Sequence, residues 1–457
     1  MEFRSEEELL YKAREAEGMT FHEIDLTGRL DNPKSKGHLG QIIEESFFGY
    51  AVNSKAEADF AELGIELKVT PVKELKSGQL SAKERLVLNI IDFHKEVQNS
   101  FEESSFWKKN ESLLLMFYKW MPDVPRGEYQ ILKSHLHRFS EADLQIIRND
   151  WSIIVSKIKA GQAHLISEGD TNYLGACTKG ANRNSLRTQP YSAIPAMQRA
   201  YSLKNSYMTT LARKIITDEH LVSIADAAEL QEKSIGKLLS DRFSPYEGKA
   251  LNLIAQNLGI HLNTKSKSFL QLFITALLGV KGTSLEDIEE FSKANIKFKT
   301  VRLEPNQTPK EHMSFRNIDF LEWIDEDWES SWVRSHFEET KYLFVAFEYR
   351  ETKTKNPDRE LYFRGVHLWN MPMEEIEGRL MDFWLQVKEI LKEGVVLTET
   401  KQGVSNNLPG PRSNGLCHIR PKGKNGKDHT PLPDGQSIAK QAIWIDREYI
   451  GKILNYT

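Results

Sequence analysis

Three acids and a lysine near the amino-terminal end of the sequence have the types and spacing to do metal-dependent phosphodiester chemistry. Asp59, Glu66 and Lys68 lie in ADFAELGIELKVT, and Glu44 lies upstream in GQIIEESFFG. Hydrolysing a phosphodiester requires an activated water, neutralised charge on the reacting phosphorus and a stabilised leaving 3′-oxygen. Mg²⁺ can serve all three needs, and it prefers carboxylate, phosphate and water oxygens. If GIELKVT is a strand, its period of two puts Glu66 and Lys68 on one face, with Ile65 and Val69 turned to the core. Glu66 then holds metal, and Lys68 orients or helps deprotonate the attacking water. Asp59 reaches the same metal from the adjoining turn or strand, and Glu44 completes the acidic wall. The plain alternative is an ion pair between Glu66 and Lys68 on an exposed strand, contributing at most about 1 kcal/mol. Likewise Glu44 and Glu45 read as the polar face of an amphipathic helix.

The elements that would position these residues occur twice. KSKGHLGQIIEESFFG followed by ADFAELGIELKVT is matched by KSKSFLQLFITALLG followed by EEFSKANIKFKTV. In the second copy Glu290, Lys297 and Lys299 take the places of Asp59, Glu66 and Lys68, and Ile274 faces Glu44. Further matches follow in the same order. Trp151 pairs with Trp384, Gly161 with Gly394, Lys179 with Lys422, Ala200 with Ala442 and Tyr207 with Tyr449. An ordered series of weak matches points to an internal repeat. The second copy has lost two carboxylates where a cation would need them, so the pattern suggests one working site and one module derived from it.

Local patterning predicts helices over 5–17, 39–48, 143–160 and 200–215, and a strand over 65–70. LVLNIIDF (86–93) and SLLLMFY (112–118) read as buried central strands, and YLFVAFEY (342–349) takes the place of the latter. Residues 218–262 are helix-like and belong to neither copy, and 406–415 form a loop rich in Pro, Gly and Asn. The chain has 457 residues, 40% of them hydrophobic, enough for two or three domains. It has no apolar run long enough to span a membrane, and the acidic start does not look like a signal peptide. Two cysteines, Cys177 and Cys417, argue against a disulfide framework and for a reducing compartment. The net charge of −4 leaves room for local basic surfaces. Candidates are Lys34 and Lys36, Lys108 and Lys109, Lys179 with Arg183 and Arg187, and Arg420 with Lys422, Lys424 and Lys427. No nucleotide-binding GxxxxGK[ST] motif, methyltransferase tetrapeptide or HExxH-type histidine spacing is present, which argues against ATP dependence, self-protection by methylation and a histidine metal site.

GHLGQIIEESFFG…DFAELGIELKVTP resembles the MutH superfamily of GATC-specific endonucleases. KERLVLNII, LGACTKGANRNSLR, RAYSLKNSYMTTLARK and LPDGQSIAKQAIW resemble its two-module restriction endonucleases. The resemblance spans nearly the whole chain. It implies an α/β fold of two restriction-endonuclease-like domains, each a mixed central sheet flanked by helices. A catalytic domain over 1–217, a helical connector over 218–261 and a degenerate DNA-binding, allosteric domain over 262–457 would follow. It places Glu44, Asp59, Glu66 and Lys68 on the catalytic positions, with the three acids as Mg²⁺ ligands. Either Lys108 or Lys109 would match a further family lysine. Lys179, Asn182, Arg183 and Lys204 in the first half, and Arg420, Lys422 and Lys424 in the second, are the expected DNA contacts. The expected reaction is double-strand cleavage at 5′-GATC, before the G, in a bacterial cytoplasm. Because that site is palindromic and each chain has one active centre, a homodimer is expected at least transiently on DNA, with a cognate methyltransferase as a separate protein. A mismatch-repair nicking enzyme and a non-enzymatic DNA-binding regulator are the other readings.

Overall fold

A computed structural model describes residues 3–31, 38–51, 57–180, 185–260, 269–280, 282, 284–356, 358–401, 403–425 and 427–455. The chain divides into two compact units. One comprises Met1–Ile235 with Glu286–Asn295, and the other Gly236–Leu285 with Ile296–Thr457. Residues 218–260, helix-like as expected, contain short helices at Ala227–Glu232, Ile235–Phe243 and Leu251–Asn257, and they are shared between the two units.

The strands of the first unit, in chain order, are β1 (Ile65–Glu74), β2 (Leu80–Ala82), β3 (Leu86–Ile90), β4 (Ser112–Lys119), β5 (Ile131–Arg138), β6 (Leu174–Thr178), β7 (Leu186–Gln189), β8 (Ser192–Met197) and β9 (Arg199–Leu203). They form a mixed sheet in the order β2-β1-β4-β5, with β1 and β4 parallel. A smaller antiparallel sheet runs β3-β9-β6. β4 lies between two partners, and Leu113–Phe117 are fully buried, as a near-continuous apolar run demands. Ile65 and Leu67 pack into a core with Ile42, Ile43, Phe48, Phe60 and Leu114. The helix Glu141–Lys159, capped by Ser140, buries Ile147, Trp151, Ile154 and Ile158 at helical spacing.

Two expectations need correcting. β3 is an edge strand of the small sheet, with alternating burial, and it ends at Ile90. It stops there because the Asp92 carboxylate accepts from the His94 and Lys95 backbone N–H groups and starts a helix at Phe93. Residues 199–203 are a strand, not a helix, and the helix begins only at Asn205. RAYSL is buried on both sides as the middle strand of β3-β9-β6, and a short apolar run of that kind has no diagnostic period.

The second unit repeats the plan with β10 (Ile296–Leu303), β11 (Met313–Asn317), β12 (Lys341–Tyr349), β13 (Leu361–Trp369), β14 (Leu397–Thr400), β15 (Gly403–Asn406), β16 (Cys417–Pro421), β17 (His429–Pro431), β18 (Ser437–Ala439) and β19 (Gln441–Ile445). β10 runs parallel to β12, with Ile296 opposite Lys341 as Ile65 is opposite Ser112. β11-β19-β16 reproduces β3-β9-β6, with Met313 opposite Ile445 as Leu86 is opposite Leu203. Lys297 and Lys299 therefore stand at the register positions of Glu66 and Lys68.

Segment 286–295 belongs to the second copy by sequence and to the first unit by packing. The Lys293 ammonium, almost fully buried, bonds both oxygens of Asp143 at 2.7 and 2.8 Å, and the Tyr207 hydroxyl donates to the same carboxylate at 2.9 Å. The Glu290 carboxylate accepts from the Ser223 hydroxyl at 2.6 Å and from the Ile224 and Ala225 backbone N–H groups.

Candidate active site

The site in the first unit is assembled from a strand, a turn and two helical segments. On β1 the pleat sends Ile65 and Leu67 inward and brings Glu66 and Lys68 together on the other face. Lys68 Nζ lies 2.7 Å from Glu66 Oε1, and Lys109 Nζ lies 3.4 Å from the same oxygen. Lys109 comes from the helix Ser105–Asn110, on which Lys108 is exposed. The structure thus brings Lys109, the second of the two candidate lysines, to the site.

Asp59 precedes a helical turn at Ala61–Leu63 that ends at Gly64 in the left-handed conformation (φ 65°). The turn folds Phe60 back against Ile65 through two backbone hydrogen bonds. This sets the Asp59 carboxylate over the start of β1, where Oδ2 accepts from the Leu67 N–H at 3.0 Å. Gly64 allows this turn because a side chain is strained at that φ.

Glu44 was expected on a regular helix over 39–48. The observed segment is an α-helix at His38–Ile42 that widens into a π-helical turn at Ile43–Phe47. Ile42, Ile43 and Phe48 stay fully buried at the two ends of this wider turn. Glu45 makes a two-pronged pair with Arg29, both contacts at 2.6 Å. Glu44 is the one that feels the charges of Asp59 and Glu66.

Electrostatics mark this as a site short of positive charge. Burial, then Asp59 and Glu66, push the Glu44 carboxyl up to about 7. Burial and Glu66 push Asp59 up to about 6, against the opposing Leu67 N–H. Glu66 is 3% exposed, and while Oε1 faces two ammonium groups, Oε2 has no hydrogen-bond partner. The Tyr50 hydroxyl is buried nearby, also unpartnered, and held strongly protonated by burial and the same three acids. A buried carboxylate oxygen left bare beside two acids that resist ionising fits a hard divalent cation with oxygen ligands such as Mg²⁺. Sequence reasoning did not single out Tyr50, because a lone tyrosine after a helix carries no spacing signal.

The matching place in the second unit is differently furnished. Lys297 is exposed, and Lys299 Nζ donates to the Ser314 carbonyl at 2.7 Å and lies 4.7 Å from the centre of the Phe315 ring. Burial and then Lys422 push Lys299 down to about 8. Ile274, facing Glu44 in the alignment, is buried, and Glu290, which packs in the first unit, is engaged there by residues 223–225.

Among the expected DNA contacts, Lys179 is exposed just beyond β6, and Asn182 and Arg183 lie outside the described residues. Lys204 is 3% exposed, with its ammonium turned inward onto the Thr171 carbonyl at 2.6 Å, so it is not presented to a phosphate in this conformation. It precedes the helix Asn205–Thr217, where the chain leaves the buried strand β9. Arg420 is exposed at the end of β16, 5.5 Å from the Trp444 ring centre. Lys422 and Lys424 are exposed beyond it, and the Lys422 ammonium contacts the Phe315 carbonyl at 2.5 Å.

Comparison with known proteins places the sequence in a family. The family model described as "DNA mismatch repair enzyme MutH" matches residues 48–150 and again 279–380. The type II restriction enzyme Sau3AI of Staphylococcus aureus is 36% identical over 459 residues, covering 95% of this chain and 91% of that protein. The chain belongs to the MutH superfamily, with the restriction endonucleases. The DNA mismatch repair protein MutH of Pasteurella multocida is 28% identical over 187 residues, covering 40% of this chain and 82% of its own. That of Actinobacillus pleuropneumoniae serotype 5b is 31% identical over 186 residues, again 40% of this chain. A MutH superfamily enzyme of one module thus corresponds to less than half of this molecule, and the family pattern occurs in it twice. Both cysteines are free, and among the described residues no helix is long and apolar enough to cross a membrane.

Proposed function

We propose that this enzyme cuts both strands of duplex DNA at 5′-GATC, before the G, with Mg²⁺ held by Asp59, Glu66 and Glu44. The observation that carries the reading is the bare Glu66 Oε2, buried between a lysine pair and two acids pushed toward neutrality. When bound, Mg²⁺ supplies charge neutralisation and acidifies water in this pocket. Lys68 positions the nucleophilic water, which gives up a proton to solvent as it attacks, and Lys109 offsets negative charge on the scissile phosphate. The water oxygen bonds to phosphorus as the bond to the 3′-oxygen breaks. The 3′-oxygen takes up a proton, and the new end carries a 5′-phosphate.

The second unit binds DNA without cutting it and favours assembly of two chains on the palindrome, which makes it an effector module. Arg420, Lys422 and Lys424 are its contacts, with Lys179, Asn182 and Arg183 reading DNA in the first unit. Host DNA is protected by a separate methyltransferase. The test is plasmid DNA incubated with the protein and Mg²⁺. Linear fragments ending at GATC with 5′-phosphates support the reading, and Glu66→Ala abolishes them while leaving DNA binding measurable. Nicks confined to hemimethylated GATC would replace it with a repair-type nicking enzyme, and binding with no cleavage would replace it with a regulator.

A further inference from the structure

The second unit has lost carboxylates at one place and gained ligand-type residues at another. His312 directly precedes β11, His418 is on β16 and Asp446 directly follows β19. These are the three strands of one antiparallel sheet, and the register sets Met313, Cys417 and Ile445 side by side. The three residues therefore meet at one end of the sheet, one from each strand. Each offers a donor atom, and those atoms all lie within 4.8 Å of one another.

The cluster has the marks of a built site. His418 Nδ1 is 2.5 Å from Asp446 Oδ1, and the His312 ring stands edge-on to the His418 ring with centroids 4.7 Å apart. The Arg447 backbone N–H donates to His312 Nδ1 at 3.2 Å and fixes that ring. His418 and Asp446 are 0% and 1% exposed. His418 Nε2 has no hydrogen-bond partner, Nδ1 being the nitrogen on Asp446. His312 is the accessible member. It also lines a cavity of about 90 Å³ with Thr300, Arg302, Lys310 and Glu311.

The first unit shows what this place looks like without such a role. By register, Arg85, Gly175 and Lys204 stand where the second unit has His312, His418 and Asp446. There Arg85 pairs with Glu168 at 2.5 Å, and Glu168 sits so close to Gly175 that a Cβ there would lie 2.7 Å from it. Arg85 and Lys204 bring cationic heads and Gly175 brings none, so the first unit fills the place with an ion pair.

We propose that His312, His418 and Asp446 bind a first-row transition-metal dication of the Zn²⁺ class. Two imidazole nitrogens and one carboxylate oxygen, with a position left open, are a donor set for such an ion and are too soft for Mg²⁺. The bound ion would tie together the three strands of the sheet whose opposite end carries Arg420 and Lys422. This site is independent of the acids on β1, so the two can be tested apart.

The experiment uses the full chain, stripped with chelator and titrated with Zn²⁺ in equilibrium dialysis, as wild type and as Glu66→Gln. One tightly held equivalent is expected in both. His312→Asn, a partly exposed position, is expected to weaken it by more than about tenfold. Zn²⁺ is expected to raise the Tm of the wild type and not that of His312→Asn. X-ray absorption of the zinc-loaded wild type reads the ligands directly, even if a variant fails to fold. Absence of tight zinc in Glu66→Gln, undiminished binding by His312→Asn, or a spectrum without imidazole would each overturn the proposal.

Discussion

Glu66 shows how a single side chain on β1 concentrates the chemistry. One oxygen faces Lys68 and Lys109 and the other is bare, so the carboxylate is held by its cationic neighbours while keeping a donor free. Lys109→Ala is expected to slow cleavage by about 10²- to 10³-fold with little change in DNA affinity, as expected for loss of a preorganised charge. Lys108→Ala, at an exposed position of the same helix, is expected to leave the single-turnover rate near wild type, and that comparison checks the assignment. The raised Glu44 and Asp59 carboxyls set a pH dependence of definite sign. Protons compete with cation for these oxygens, so the Mg²⁺ concentration for half-maximal cleavage should rise as pH falls through about 7 and then about 6. Cleavage rates measured against Mg²⁺ at several pH values check this, and a constant midpoint would contradict it. Strand period alone was enough to pair Glu66 with Lys68 from sequence. Lys109 could not be chosen over Lys108 that way, because only the packing of their helix says which neighbour turns inward. The histidines of the second unit were equally opaque, since their ligands come from three strands and have no common local spacing.

At the scale of elements, register carries most of the information. The parallel pairs β1–β4 and β10–β12 both match first residue to first residue, so the repeat read from ordered matches corresponds to the same construction built twice. Patterning failed at β9, a strand buried on both faces, and at β3 on the sheet edge. RAYSL read as helix because a short apolar run has no period to read, and Lys204 read as a surface lysine because its inward turn depends on where β9 ends. The π-helical turn around Glu44 was also illegible, since its widening is set by the burial of Ile42, Ile43 and Phe48 around it. The clearest energetic prediction at this scale concerns Lys293, buried against Asp143 and Tyr207. Lys293→Ala leaves the Asp143 charge in a dry interior, and the expected loss is about 3–5 kcal/mol of stability, read as a lower urea midpoint. Replacing Asp143 by Asn in the same variant should recover much of it. Failure of the second change to rescue would show that the pair contributes by packing alone.

For the whole molecule, the first unit is not a continuous stretch of chain. It closes around 286–295, a segment that the sequence repeat assigns to the second copy. A fragment ending at residue 261 therefore lacks Lys293 and Glu290, whereas one ending at 295 keeps both. The shorter fragment is expected to be less stable by roughly the energy of the buried pair and to lose cleavage with it. The longer one is expected to retain the chemistry and lose only the cooperativity proposed for the second unit. Denaturation midpoints and single-site plasmid cleavage of the two fragments test this. The same interlacing has a consequence during synthesis. A nascent chain that has left the ribosome only as far as residue 235 has the helix carrying Asp143 but not the lysine that neutralises it. The nuclease half is thus expected to mature only once translation has passed residue 295, beyond the start of the second sequence copy. Protease resistance of chains stalled before residue 286 and after residue 295 would reveal that delay.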